Sequence, residues 1–264
     1  MFATSGQARL AYSSVGAGDP VLLIHPGVTD RRGWHHLSDQ LTPNHQVISY
    51  DQRGYGETTY QPESYSGIAD ALAVLDTAGA GQAAVVGCSL GGETAIDLAL
   101  EHPDRVSRLV LIAPAVSGDA PWLESYPEPI STLMQKLKAA EEAGDIAAVN
   151  RLEAWLWLDG PTAAEGRVGG EARELFLTMN GIALANQNPG EPILAEPAWD
   201  RLDRIAIPTL ILCGELDLPD QLPVCHGIAE RIPDAQLLTL PGVAHLPHLE
   251  NDQTCLAAIT DLLH

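Results

Sequence analysis

The sequence predicts an α/β protein: a mostly parallel sheet of eight strands with helices on both faces. Three observations predict it. Short, mainly apolar runs at 21–24, 47–51, 83–86, 106–112, 208–213 and 235–240 read as strands, and the unbroken apolar stretches at 21–24, 83–86, 109–112 and 210–213 suit a sheet buried on both faces. Between them lie helical patterns at 68–77, 93–102 and 224–231, which is the alternation that builds parallel sheets. Segments 2–4 and 9–15 pair as an opening hairpin and complete the count of strands. Sheets of this kind bind ligands at the carboxyl edge of their strands.

The strand at 83–86 runs straight into Gly87-Cys88-Ser89-Leu90-Gly91-Gly92, and a helical pattern follows from Glu93 to Leu100. Gly-x-Ser-x-Gly alone also describes a flexible turn. With a strand before it and a helix after it, the pattern is a nucleophile elbow, a strained turn that lifts the serine Oγ off the sheet edge. Ser89 is therefore the candidate nucleophile, and Gly87 and Gly91 leave room for neighbouring backbone. A serine needs a base and a group to orient that base. The strand at 208–213 ends in Gly214-Glu215-Leu216-Asp217, which offers Asp217 at the sheet edge. The strand ending at Leu240 is followed by Pro241-Gly242-Val243-Ala244-His245, which offers His245 before a final helix. Asp220 and His248 are the rival acid and base.

The order Ser, Asp, His is that of the α/β-hydrolases, and the chain resembles that fold family over essentially its full length, most closely its single-domain esterase and enol-lactonase members. The resemblance is carried by Val21-Leu22-Leu23-Ile24-His25-Pro26-Gly27, Tyr50-Asp51-Gln52-Arg53-Gly54-Tyr55-Gly56, the elbow, Leu109-Val110-Leu111-Ile112-Ala113-Pro114 and the Asp217 and His245 loops. In the family, Gly-x-x-His carries the base, which favours His245 over His248. The resemblance implies catalytic Ser89, Asp217 and His245. It also implies an oxyanion hole from the backbone N–H of Leu90 and of Gly27 or Val28. Pro26 departs from the family's usual His-Gly and leaves the first donor open between those two residues. Asp51-x-Arg53-Gly54-x-Gly56 resembles a structural turn whose ion pair braces neighbouring loops, and His25 is expected to hold the oxyanion loop.

From about 117 to 199 the pattern changes to helices without strands, at 131–143, 145–158 and 171–184, flanked by prolines at both ends. This reads as a helical cap inserted after the sixth strand, dividing the chain into core 1–116, cap 117–199 and core 200–264. The cap's apolar inventory includes Trp122, Tyr126, Leu133, Met134, Trp155, Trp157, Phe176 and Met179. Most should pack the cap, with Trp155 and Trp157 as the candidate substrate-binding residues.

Composition bounds the rest. A chain of 264 residues with 45% hydrophobic content can bury a large core. The formal charge of −21 lacks the basic patch that nucleic acid requires, and it disfavours an anionic membrane. No apolar run reaches the length of a membrane span and no opening signal segment is evident, so a cytoplasmic protein is expected. Cys88, Cys213, Cys225 and Cys255 lack the spacing of a metal site, and His35-His36 and Cys225-His226 lack further ligands, so neither metal, cofactor nor disulfide is expected. The expected activity is hydrolysis of a small-molecule carboxylic ester or lactone through an acyl-enzyme on Ser89. The alternatives are a carbon–carbon bond hydrolase, a cofactor-free haloperoxidase-like enzyme, and a slow-turnover small-molecule receptor on the same fold. A serine rather than an aspartate nucleophile disfavours dehalogenase and epoxide hydrolase chemistry. Spacing does not read the substrate or the oligomeric state.

Overall fold

The strands are β1 (Phe2–Ser5), β2 (Ala8–Val15), β3 (Asp19–Ile24), β4 (His45–Tyr50), β5 (Ala83–Cys88), β6 (Val106–Ile112), β7 (Thr209–Gly214) and β8 (Ala235–Leu240). A computed structural model describing residues 1–264 arranges them in one eight-stranded sheet of order β1-β2-β4-β3-β5-β6-β7-β8. The hairpin pairs β1 with β2, and β2 with β4, antiparallel. Every pairing from β4 to β8 is parallel. In these pairings Ile24 lies opposite Gly87, Cys88 opposite Ile112, Ile112 opposite Leu212, and Gly214 opposite Leu240. The loops that follow β3, β5, β7 and β8 therefore leave the sheet at one edge.

Eight α-helices accompany the sheet: α1 (His35–Leu41), α2 (Gly67–Thr77), α3 (Leu90–Glu101), α4 (Ile130–Glu142), α5 (Ile146–Glu153), α6 (Gly170–Ala185), α7 (Gln221–Arg231) and α8 (Gln253–Leu263). Side chains alternate along each strand, so the sheet has two buried faces. Leu22, Ile24, Val85, Leu109, Leu111 and Ile211 point to the face covered by α2, α3 and α7. Val21, Leu23, Val86, Val110, Ile112 and Leu212 point to the face covered by α1 and α8. Phe176 and Met179 of α6 join that second cluster, anchoring the segment between β6 and β7 to the core. A smaller cluster of Leu133, Ala140, Val149, Leu152 and Leu156 packs α4 and α5 on each other. The four cysteines are buried and unpaired, and no helix is long and apolar enough to cross a membrane.

The structure corrects several expectations. Helix α1 is absent from the sequence reading because its seven residues bury only Leu37 and Leu41, and no side chain caps its N-terminus. The single helix expected over 145–158 is two elements: Asp145 caps α5, and from Ala154 to Asp159 the backbone widens to π-helical. Such π turns rotate the side chains that follow. Asp51 and Arg53 form no ion pair with each other. Buried Asp51 takes Arg31, its backbone amide and that of Glu57, whereas Arg53 is bidentate to Asp70 at 2.8 and 3.0 Å and reaches Glu63 at 2.6 Å. The segment braces two neighbourhoods rather than one.

Candidate active site

Ser89 sits between β5 and α3 at φ 51°, ψ −117°, a conformation non-glycine residues adopt only when the surroundings enforce it. Its N–H donates to the Ile112 carbonyl at 3.0 Å, and its carbonyl accepts from Gly92 at 2.8 Å and from Ala115 at 3.0 Å. The flanking glycines are required by packing. A Cβ on Gly87 would overlap the Gly91 carbonyl oxygen, and one on Gly91 would overlap the carbonyl oxygen of Ile24. The strand–turn–helix thus closes only without side chains at these two positions, and it leaves Ser89 partly exposed at the sheet edge.

Asp217 and His245 meet across the adjacent loops. The turn after β7 is tied to the turn after β8 by Glu215 N–H to Leu240 and Leu216 N–H to Val243, each at 2.9 Å. Within this frame His245 Nδ1 bonds Asp217 Oδ2 at 2.7 Å, while Asp217 Oδ1 accepts the Leu218 N–H at 2.8 Å. Both residues are buried. Donation from Nδ1 to a carboxylate leaves the Nε2 lone pair free to accept a proton. The Cys88 thiol donates to the His245 carbonyl at 3.7 Å, which places the histidine loop beside the elbow. The Ser89 side chain takes no partner within the chain, and the Trp157 ring lies 4.7 Å from the His245 ring.

The rival residues are engaged elsewhere. His248 is 1% exposed and stacks on Trp34 at 4.1 Å, with neither nitrogen bonded. Burial, aided by the neighbouring histidines, lowers its pKa to about 3. Asp220 accepts the Leu123 N–H at 2.9 Å and the Tyr126 hydroxyl at 3.0 Å, pinning the chain that follows β6. The Trp155 indole N–H donates to Ala163 at 2.9 Å, and both Trp155 and Trp157 pack against the α4–α5 cluster. Of the two tryptophans, Trp157 is the one whose ring lies against His245.

Pro26 to Thr29 forms a turn closed by the Thr29 N–H to Pro26 carbonyl bond at 3.2 Å, with Gly27 and Val28 at its corner. A Cβ on Gly27 would lie 3.7 Å from the Leu90 side chain, so both candidate donor segments adjoin. His25 holds this turn. Its Nδ1–H donates to Pro26 at 2.8 Å, its Nε2 accepts the Gln52 N–H at 3.0 Å, and the Gln52 side chain returns a bond to the His25 carbonyl at 2.7 Å. Burial lowers the His25 pKa, which keeps the ring neutral and this donor–acceptor pattern fixed. The His35 and His36 rings lie 3.7 Å apart, tilted by 41°, and no three His, Cys, Asp or Glu side chains converge to hold a metal ion.

A second network escaped the sequence reading. Arg167 donates to the carbonyls of Leu158, Asp159 and Gly242 at 2.8, 2.6 and 3.0 Å and to both oxygens of Glu250 at 2.7 and 2.8 Å. Glu250 Oε1 also accepts the Ala244 N–H at 2.9 Å. Fully buried Asp159 takes the amides of Gly166 and Val168 and the Arg173 guanidinium at 2.8–3.0 Å. Together these groups clamp the stretch bearing Trp157 to the loop bearing His245. Glu250 stands in the loop that the sequence singles out, but a partner eighty-three positions away leaves no periodic trace.

Fold and site define an α/β-hydrolase, and the chain belongs to the alpha/beta hydrolase fold family, whose model matches residues 19–252. Its relatives include a putative 2-succinyl-6-hydroxy-2,4-cyclohexadiene-1-carboxylate synthase of Bacillus subtilis, 26% identical over 94% of this chain and 91% of that one. The pimeloyl-[acyl-carrier protein] methyl ester esterase of Vibrio campbellii is 27% identical over 94% of this chain and 96% of its own. Among solved structures, Est816, described as an N-acyl homoserine lactone degrading enzyme, superposes with a TM-score of 0.76 at 25% identity, covering 99% of each chain.

Proposed function

We propose that this chain is a serine hydrolase that cleaves a carboxylic ester or lactone of a small molecule through an acyl-enzyme on Ser89. The observation that carries the reading is the buried His245–Asp217 pair, bonded at 2.7 Å beside a serine held at positive φ. In this mechanism His245 Nε2 takes the Ser89 proton as Oγ attacks the ester carbonyl, and the imidazolium that forms is stabilised by Asp217. The tetrahedral oxyanion is met by the N–H of Leu90 and that of Gly27 or Val28, each worth about 3 kcal/mol in the transition state. Collapse expels the alcohol, which takes the proton from His245, and water then repeats the sequence on the acyl-enzyme to release the acid. For a lactone the expelled alcohol stays tethered and leaves as a hydroxy acid.

In the same reading, residues 117–199 are the cap, and Trp157 is its contribution to the pocket wall beside His245. Esterase and lactone-degrading relatives support the ester class of substrate. The test is a panel of p-nitrophenyl esters and acyl lactones assayed over many turnovers. Sustained turnover of either class with wild-type protein, abolished in Ser89→Ala, is expected. Equal turnover in both proteins, or a single turnover followed by arrest with every substrate, contradicts the proposal, and the arrest would favour a receptor.

A further inference from the structure

Tyr55 stands in the Asp51-x-Arg53-Gly54-x-Gly56 turn, and the mechanism above leaves it without a role. The turn that follows β4 closes tightly: the Tyr55 N–H donates to the Gln52 carbonyl at 3.1 Å, and a Cβ on Gly56 would overlap the buried Asp51 carboxylate. The Tyr55 ring meets the His25 ring edge to face, with centroids 4.9 Å apart and planes at 68°. His25 and Gln52, which hold the oxyanion turn, thus hold Tyr55 as well. The outcome is a hydroxyl beside Gly27. A Cβ on Gly27 would meet the Tyr55 hydroxyl oxygen at 3.3 Å and the Leu90 side chain at 3.7 and 3.9 Å. Because a Cβ lies ~2.5 Å from its own nitrogen, the hydroxyl is within about 6 Å of the Gly27 nitrogen. Two donors that each approach one oxygen to about 3 Å can stand that far apart.

The hydroxyl has no acceptor within the chain. Burial, with Tyr65 and Glu153 nearby, pushes the Tyr55 pKa up to about 12, and no hydrogen bond contributes. The groups around it are committed elsewhere: Glu153 accepts from Asn180 at 2.5 Å, and the His25 nitrogens serve Pro26 and Gln52. Tyr55 is half-buried and, with Leu90, lines a cavity of about 450 Å³ between α2, α3 and the segment 192–197, so the side chain borders open space rather than sealed core. A neutral donor on a braced ring, with no partner to give up, costs no reorganisation when negative charge develops beside it.

We propose that the Tyr55 hydroxyl is a third donor to the oxyanion, adding a side chain to a hole otherwise built from the backbone at Leu90 and at Gly27 or Val28; the assignment rests on the reading of Ser89 as nucleophile. As Oγ bonds to the ester carbonyl carbon, the π pair moves onto the carbonyl oxygen and the Oγ proton passes to His245. Tyr55 donates a hydrogen bond to the new alkoxide and keeps its own proton. On collapse the pair returns to the carbonyl and the hydrogen bond weakens, so the hydroxyl acts on the transition state more than on the bound ester.

Tyr55→Phe keeps the ring and its contact with His25 and removes only the hydroxyl. It should lower kcat for p-nitrophenyl acetate about 10–100-fold with KM little changed. A structural role is separated by two inhibitors, phenethyl trifluoromethyl ketone, which Ser89 converts to a hemiketal oxyanion, and the matching methyl ketone, which binds without that charge. Tyr55→Phe should weaken the first by the same factor as kcat/KM and leave the second unchanged. Wild-type kcat in Tyr55→Phe, a hemiketal held as tightly as by the wild type, or equal weakening of both ketones overturns the third donor alone. No hemiketal on the wild type, or one undiminished in Ser89→Ala, overturns the nucleophile reading and this assignment with it. A ring-fluorinated tyrosine in place of Tyr55, a stronger donor of nearly the same shape, serves should Tyr55→Phe fail to fold. It should tighten the trifluoromethyl ketone relative to the methyl ketone, and an unchanged ratio overturns the assignment.

Discussion

Replacing Arg167 with methionine tests whether the clamp between the Trp157 stretch and the His245 loop positions the proposed base. The substitution keeps most of the aliphatic stem and deletes the guanidinium, leaving the Glu250 carboxylate, 7% exposed, without its cation. It also strips the Leu158, Asp159 and Gly242 carbonyls of their donor. Breaking a fully buried ion pair costs about 3–5 kcal/mol. Because Arg167 is 23% exposed, water partly compensates, and about 2–3 kcal/mol is expected here. For a chain of this size that lowers Tm by roughly 5–10 °C. Glu250→Gln still accepts the Ala244 N–H, so Arg167→Met/Glu250→Gln should be more stable than Arg167→Met alone by about 1 kcal/mol, a buried charge having been removed. Freeing the loop that carries His245 should lower kcat for p-nitrophenyl acetate about 10–100-fold with KM little changed, since small misplacements of a base are costly. Urea unfolding and steady-state kinetics on the wild type and the two variants provide the readout. Wild-type stability and kcat in Arg167→Met would refute the clamp, and lost stability with unchanged kcat would confine it to structure.

Gly87→Ala should cost about 1–3 kcal/mol and slow phosphonate labelling of Ser89, because its Cβ meets the backbone of Gly91. Gly81→Ala, where a Cβ meets open space, is the control, and equal behaviour of the two variants contradicts the packing argument. His248 has a folded pKa of about 3 against an unfolded value near 6.5. The unfolded state therefore binds the extra proton, and the stability gained from a neutral His248 is complete above pH 6.5 and lost as pH falls toward 3. Between pH 7 and 5 the wild type should lose about 2 kcal/mol from this group, a loss that His248→Phe escapes while retaining activity, as unfolding at the two pH values would show. Trp157→Ala should change the ratio of kcat/KM for bulky over short esters, whereas Trp155→Ala should lower Tm and leave that ratio alone, and the opposite pattern would exchange their roles.

What was legible in the sequence was local chemistry with a rigid consequence. Strands at the sheet centre read as continuous apolar runs because both their faces are buried, and the elbow read as Gly-x-Ser-x-Gly because Gly87 and Gly91 each face a carbonyl oxygen. Asp217 and His245 were found as polar residues one loop beyond a strand end. Features set by tertiary contact were not legible. The seven-residue α1 buries too few positions to show a period. The widening to π-helical backbone at 154–159 leaves no mark in the spacing of apolar residues. Asp51 and Arg53 stand two residues apart and yet serve different partners, Arg31 and Asp70, chosen by loops that meet only in the folded chain.

The central claim, that Ser89 is the nucleophile activated by His245, is tested most directly by mass spectrometry of the protein after reaction with a small fluorophosphonate. A single adduct is predicted on the peptide carrying Ser89. Labelling should be abolished in Ser89→Ala and slowed at least about a thousandfold in His245→Ala, while His248→Phe labels at the wild-type rate. An adduct on another residue, or undiminished labelling in His245→Ala, would contradict the account.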